Sequence, residues 1–367
     1  MKFICSQKNL SASINIVQKA VSTKTTLPIL KGILIETCGQ KLKLVGTDLE
    51  VGIEHYIEAN IVSEGSIVIS SRLLGDIIRK LPDADVEVEV DETNNITIRC
   101  ENSEFTLIGQ PSIEFPELPA IEEENIYEIP QDLLKNMIRQ TAFATALDET
   151  RPILTGVLME IQEGIINMVA LDGYRLSLRQ GNIKTDFNNK AVIPGKTLNE
   201  IHRILSEEEN SKVEIFFTDK HVLFQMANVR IISRLLEGEF INYKQIIPKE
   251  FKSRVKVKTR DLLDSIERAS LLAREGKNNL IKFSVKDEMM TITSNAEIGR
   301  VFENLRIELE GEDIDIGFNS KYFLDALKIL DSDEIYLDFT TNVSPCIIKP
   351  TDTNNYTYLV LPVRLAG

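Results

Sequence analysis

One phrase is written three times along this chain. Within residues 71–81, Arg72 and Arg79 lie seven apart with Asp76 between them, and Leu73, Leu74, Ile77, Ile78 and Leu81 recur at three- and four-residue steps. That spacing predicts an amphipathic helix, apolar on one side and basic on the other. Lys196, Glu200 and Arg203 repeat the order base, acid, base at the same offsets, and Lys321, Asp325 and Lys328 repeat it again. The first bases are 124 and 125 residues apart, a period too long for a solenoid and suited to a domain copied twice.

Other landmarks keep the period. Pro28-Ile29-Leu30-Lys31-Gly32 returns 124 residues later as Pro152-Ile153-Leu154-Thr155-Gly156, and Val45-Gly46-Thr47-Asp48 returns as Val169-Ala170-Leu171-Asp172. The 367 residues therefore divide into domains at 1–120, 126–247 and 253–367, joined by the proline-punctuated acidic stretch 115–125 and by 246–252. Each third opens on a short strand (2–5, 127–129, 255–257) and a helix (9–20, 131–142, 259–273). In the first third, strands follow at 33–36, 41–46, 50–57, 66–70, 86–90, 96–100 and 105–109. Their connections are too short for parallel crossovers, so the fold class is α+β: three repeated domains, each with two helices packed on antiparallel sheet. In the third copy, Ser294-Asn295-Ala296-Glu297 takes the turn position of Asp48 and Asp172, and 358–363 forms the last strand.

The net charge of −14 read globally counts against nucleic acid. Its distribution does not. The six helical segments 8–21, 71–81, 131–143, 195–205, 259–274 and 320–330 together carry +7, while the remaining 291 residues carry −21. No apolar run approaches a membrane span or a signal peptide. Cys5, Cys38, Cys100 and Cys346 are far apart, as befits thiols in a reducing cytoplasm. His55, His202 and His221 do not cluster at metal-ligand spacing, and no cofactor motif is present, so neither metal nor cofactor is expected.

Asp48, Glu50 and Asp172 invite a catalytic reading, an enzyme with an acidic site in an interdomain cleft. Turn-forming acids that bond their own backbone account for them better. The basic helix faces carry more. Intrahelical pairs such as Arg72–Asp76, worth about 0.3–0.5 kcal/mol each, would explain one such face. They do not explain a base at the same two offsets in three copies, whereas repeated contact with phosphates does. No aromatic ladder accompanies the bases, so duplex backbone is the natural target. Residues 171–176 and 359–365 are rich in apolar side chains, which either join the core or wall a groove for a partner's peptide.

Thr26-Leu27-Pro28-Ile29-Leu30, Gly46-Thr47-Asp48-Leu49-Glu50, Asp172-Gly173-Tyr174-Arg175-Leu176, Gly238-Glu239-Phe240, Gly317-Phe318-Asn319 and Leu361-Pro362-Val363-Arg364-Leu365 together resemble the bacterial DNA polymerase III β-subunit family, the replicative sliding clamps. The resemblance covers all three thirds. It implies a non-catalytic, cytoplasmic subunit whose head-to-tail homodimer closes a six-domain ring around duplex DNA, with helices lining the hole. Lys24, Arg72, Arg79, Lys196, Arg203, Lys321 and Lys328 would meet the phosphates, and Phe105 of one protomer would pack near Leu271 and Leu272 of the other.

It further implies a groove for partners' short linear motifs, between the second and third domains. Carried over, the groove comprises Leu154, Leu171, Gly173, Tyr174, Arg175, Leu176, Ile246, Val343, Leu359, Val360, Leu361, Pro362, Val363 and Arg364. The implied partners are the replicative polymerase α subunit, the clamp loader, and other polymerase, mismatch-repair and ligase clients, with no membrane. Ile241 stands where a family proline is frequent, Gln245 where a base is common, and Ala366-Gly367 extend past the usual Arg-Leu end.

Overall fold

The structure, a computed structural model, describes residues 1–364 apart from Thr23, Glu149 and Glu209. The closing Leu365, Ala366 and Gly367 lie outside the described residues.

Among the described residues there are six α-helices, two per repeat: α1 Gln7–Val17, α2 Ser71–Lys80, α3 Gln131–Thr141, α4 Gly195–Ile204, α5 Thr259–Ala273 and α6 Ser320–Leu327. All six fall where the periodicity puts them. Side-chain caps mark two of the starts. The Ser6 hydroxyl accepts the Asn9 N–H at the head of α1, and Asn319 accepts the Lys321 N–H at the head of α6, each satisfying one orphan donor. The third basic helix is shorter than expected. It ends at Leu327, leaving Lys328 as its C-cap rather than in its interior.

The chain forms two compact units, Met1–Asp132 with Arg203–Leu235, and Leu133–His202 with Leu236–Gly367. Each unit holds two sheets, and the strand pairs are antiparallel. In the first unit, a five-stranded sheet runs in the order Asn60–Ser63, Lys2–Ser6, Asp85–Val90, Asn95–Cys100, Ser103–Ile108. The other sheet has eight strands. Tyr127–Pro130, Lys212–Phe217, His221–Met226 and Val229–Arg234 come from the second repeat, and Val51–Glu58, Lys41–Thr47, Gly32–Cys38 and Ser66–Ser70 continue from the first.

The second unit is built the same way. Its nine-stranded sheet joins Asn189–Pro194, Gly156–Gln162, Ile165–Leu171 and Arg175–Asn182 of the second repeat to Tyr356–Val360, Cys346–Pro350, Glu334–Phe339, Ser253–Lys258 and Glu308–Gly311 of the third. A four-stranded sheet, Gly299–Arg306, Met289–Ala296, Leu280–Lys286 and Ile314–Asn319, completes it.

The sheets thus cross repeat boundaries, and the two seams share one register. In the first unit Val229 stands opposite His55 and Ser233 opposite Val51. In the second, Tyr356 stands opposite Arg179 and Val360 opposite Arg175. Val51 and Arg175 are 124 residues apart, as are His55 and Arg179, while Ser233 and Val360 are 127 apart, as are Val229 and Tyr356.

The apolar stripes of the helices enter the cores: Leu10, Ile14 and Val17 of α1, Leu74 and Ile78 of α2, and Phe323 and Leu327 of α6 are buried. Each such side chain contributes about 1.5–3 kcal/mol on leaving water.

Two further local expectations fail. Asn295 is not in a turn: Met289–Ala296 runs straight past it, pairing Asn295 with Arg300, and the chain reverses at Glu297-Ile298. An Asn that forms no Asx bond has nothing to stop the strand there. The last strand is Tyr356–Val360 rather than 358–363, because Pro362, with no N–H to donate, cannot extend the ladder.

Candidate functional site

The turn at Asp172 begins the site. Its Oδ1 accepts the N–H groups of Tyr174 and Arg175 at 2.9 and 3.1 Å, and Gly173, between Asp172 and Tyr174, adopts φ +92°. Asp48 does the same in the first unit, accepting from Glu50 and Val51 at 3.1 and 2.9 Å. Both acids therefore serve their own turns, which leaves the acidic-site enzyme reading without support. Where Gly173 sits, Leu49 occupies the left-handed conformation at φ +75°.

The second turn delivers Arg175 into the interior. Its side chain is 8% exposed, and all three guanidinium nitrogens are bonded. Nε donates to Asp172 Oδ2 at 2.9 Å, Nη1 to Asp325 Oδ2 at 2.6 Å, and Nη2 to the Phe143 carbonyl at 3.0 Å. The ring centroids of Tyr322 and Phe143 lie 4.8 and 5.4 Å from it. Burial opposes the guanidinium's charge, but Tyr358, Asp325 and Asp172 outweigh burial and raise its pKa above the ordinary value. Tyr174, 61% exposed, stacks on Tyr322 with centroids 6.0 Å apart and planes 18° from parallel.

Beside this wall, Leu154, Leu171, Leu176 and Leu359 are buried in one apolar cluster with Phe240, Tyr243 and Ile347. Alternation along the last strand sends Val360 to the other face, fully buried in the core of the third repeat and apart from the other groove candidates. Past the strand, the Leu361 N–H donates to the Tyr174 carbonyl and the Val363 N–H to that of Gly317, both at 2.8 Å. Pro362 and Val363 are half-buried and Arg364 is exposed. Tyr174, Ile246, Val343 and Leu361 are the apolar positions among the groove candidates that remain open to solvent. Ile246 follows a short turn anchored by Glu160, which accepts from the Tyr243 hydroxyl at 2.7 Å and pairs with Lys244 at 3.0 Å. Burial would raise the Glu160 carboxyl, but the Tyr243 and Lys244 bonds prevail and lower it.

Sequence reasoning missed Asp325, Tyr322 and Phe143 as members of this cluster. Asp325 was visible as the acid of the third basic helix, and its pairing lies off that helix. On α2 the acid pairs differently from expectation too: Asp76 meets Arg79 at 3.3 Å, not Arg72.

The seven candidate DNA-contacting bases, Lys24, Arg72, Arg79, Lys196, Arg203, Lys321 and Lys328, are all exposed. Lys328 is shared with Glu267 of α5 at 2.9 Å, which holds the Glu267 carboxyl below its ordinary range. Among the strands at the chain's two ends, Ser103–Ile108 and Gly299–Arg306 are sheet edges. Phe105 and Phe302 are exposed large apolar side chains on these strands, while on α5 Leu271 is exposed and Leu272 half-buried.

Family models match the chain in three consecutive segments. The N-terminal domain of the DNA polymerase III beta subunit matches residues 1–119, the central domain 128–242 and the C-terminal domain 244–364. The beta sliding clamp of Bacillus subtilis (strain 168) is 42% identical over 377 residues, covering 99% of this chain and 100% of its own. That of Halalkalibacterium halodurans is 40% identical over 380 residues with the same coverage. The crystal structure of the Bacillus subtilis DNA polymerase sliding clamp superposes with a TM-score of 0.96 at 41% identity, over 100% of both chains. A putative DNA polymerase III beta subunit from Eubacterium rectale gives 0.96 at 38% identity, again over 100% of both.

Proposed function

The chain belongs to the DNA polymerase III beta-subunit family, and on that footing we propose that two copies join head to tail as a sliding clamp. The ring would have six domains, 1–120, 126–247 and 253–367 in each copy, encircling duplex DNA in the cytoplasm and tethering the replicative polymerase. The subunit itself does no chemistry.

The repeated seam carries this reading. Two seams with one register are built within the chain, and the sheet edges Ser103–Ile108 and Gly299–Arg306 would supply the two halves of a third. The hairpins Cys100–Ser103 and Met226–Val229 align the first edge with its internal counterpart at an offset of 126. Phe105 of one copy would then lie along Gly299–Arg306 of the other. Exposed edges are a liability that pairing removes, and a two-fold axis pairs both at once. Phe105 would meet the apolar face of α5 at Leu271 and Leu272.

Lys24, Arg72, Arg79, Lys196, Arg203, Lys321 and Lys328 would hold the duplex by phosphates without reading bases, which permits sliding. The groove around Tyr174, Ile246, Val343 and Leu361 would take apolar side chains of short linear motifs from the polymerase α subunit, the clamp loader and other clients.

Retention on nicked circular plasmid, lost once the plasmid is linearised, tests encirclement; equal retention on both templates rejects it. Charge reversal at Arg72, Lys196 and Lys321 together should abolish retention while sedimentation still reports a dimer.

A further inference from the structure

We infer that Asp325, the acid of the third basic helix, is a positioning residue of the partner groove: through Arg175 it holds Tyr322 and Tyr174 as one wall. This rests on the groove reading above and adds a residue to it.

The chain of contacts is continuous. Asp325 accepts from Arg175 Nη1 at 2.6 Å, Tyr322 lies 4.8 Å from the same guanidinium, and the exposed Tyr174 stacks on Tyr322. Tyr322 and Asp325 sit three residues apart on α6, so one helix supplies both the carboxylate and the ring. A guanidinium bonded at all three nitrogens has one orientation; with Nη1 released it can turn about the remaining contacts, and the rings laid on it lose their seat.

The first seam shows that strand pairing does not need this device. There Val51 stands in place of Arg175 and Glu50 in place of Tyr174, yet the register is the same. A buried ion cluster is weak evidence for stability in itself. One that is present at only one of two equal joints, beneath an exposed tyrosine, points to the tyrosine. It also gives α6 two duties, since Lys321 and Lys328 on either side are exposed bases.

The test measures binding of the purified replicative polymerase α subunit to immobilised full-length dimer. Tyr174→Ala should weaken binding about tenfold, Asp325→Asn by a similar factor, and the double variant little further, because both act on one wall. Asp325→Glu should restore most of the loss. Asp331→Asn, which removes an Arg139 ion pair in the same unit, should change nothing and controls for general softening. Wild-type affinity in Asp325→Asn, with Tyr174→Ala weakened, overturns the inference and leaves the groove standing. Full additivity of the two variants, or no rescue by Glu, also overturns it. Wild-type affinity in Tyr174→Ala removes the groove assignment itself and the inference with it.

Discussion

The two internal seams are the same joint dressed differently. Five residue pairs close each one, in one register, and in both an aspartate ties the preceding turn. At the first seam, Gly52 leaves room that Leu118 of the following linker fills, beside a cavity of about 130 Å3 lined by Thr47, Leu49, Leu118, His221 and Ile232. Glu50 and Arg234 close over its rim at 3.7 Å. At the second seam the chain fills the equivalent space with Leu176, 124 residues after Gly52, and puts a buried cation and an exposed tyrosine where the first has valine and glutamate. Main-chain pairing makes the joint, and side chains decide whether it is capped by a linker leucine or presents an exposed tyrosine.

Making the second seam like the first should have the largest effect. Arg175→Val leaves Asp172 and Asp325 without their cation and should cost about 3–5 kcal/mol of second-unit stability in urea titration. Arg175→Val paired with Asp325→Leu should recover a good part of it, whereas equal losses in both variants would mean the cation acts through packing alone. Leu118→Ala should cost the first unit about 2 kcal/mol by emptying its half-buried site, seen as faster amide exchange along Val229–Arg234.

The turns give a smaller, reciprocal pair. Leu49→Gly should stabilise the first unit by about 1 kcal/mol, and Gly173→Ala should destabilise the second by about as much, since each residue sits at positive φ. Equal and opposite shifts of the urea midpoint would confirm that the turns are equivalent.

Protonation separates the seams as well. Burial lowers the pKa of His55, whose Nδ1 has no partner, so the unfolded chain takes up the proton first. The stability contributed by neutral His55 is complete above the unfolded value near 6.5 and is lost as pH falls through the lower folded one. Exchange protection at the first seam should therefore drop between pH 7 and pH 5, and His55→Gln should flatten that slope. The second seam has Arg179 at this place and should not respond. Arg234→Ala, which removes the exposed pair with Glu50, should cost less than about 1 kcal/mol.

Much of this was legible beforehand because it is written in periodicity. The helices and most first-repeat strands follow from apolar spacing, and the repeat follows from residues that recur at 124. Local chemistry carried the aspartate turns, but Asn295 misled because its register in the repeat looked right while its side chain makes no turn bond. The ion cluster was out of reach for a different reason. Arg175 and Asp325 are 150 residues apart, and nothing local distinguishes an acid that pairs along its helix from one that pairs across to a neighbouring sheet. Val360 was assigned to the groove with its neighbours, and strand alternation alone would have turned it inward.

A joint closed by peptide groups places almost no demand on which amino acids flank it. Duplication therefore leaves equivalent joints whose side chains are free to differ, as Glu50 and Val51 differ from Tyr174 and Arg175. Swapping four residues, Asp48 to Val51 for Asp172 to Arg175, would ask how far that freedom still extends.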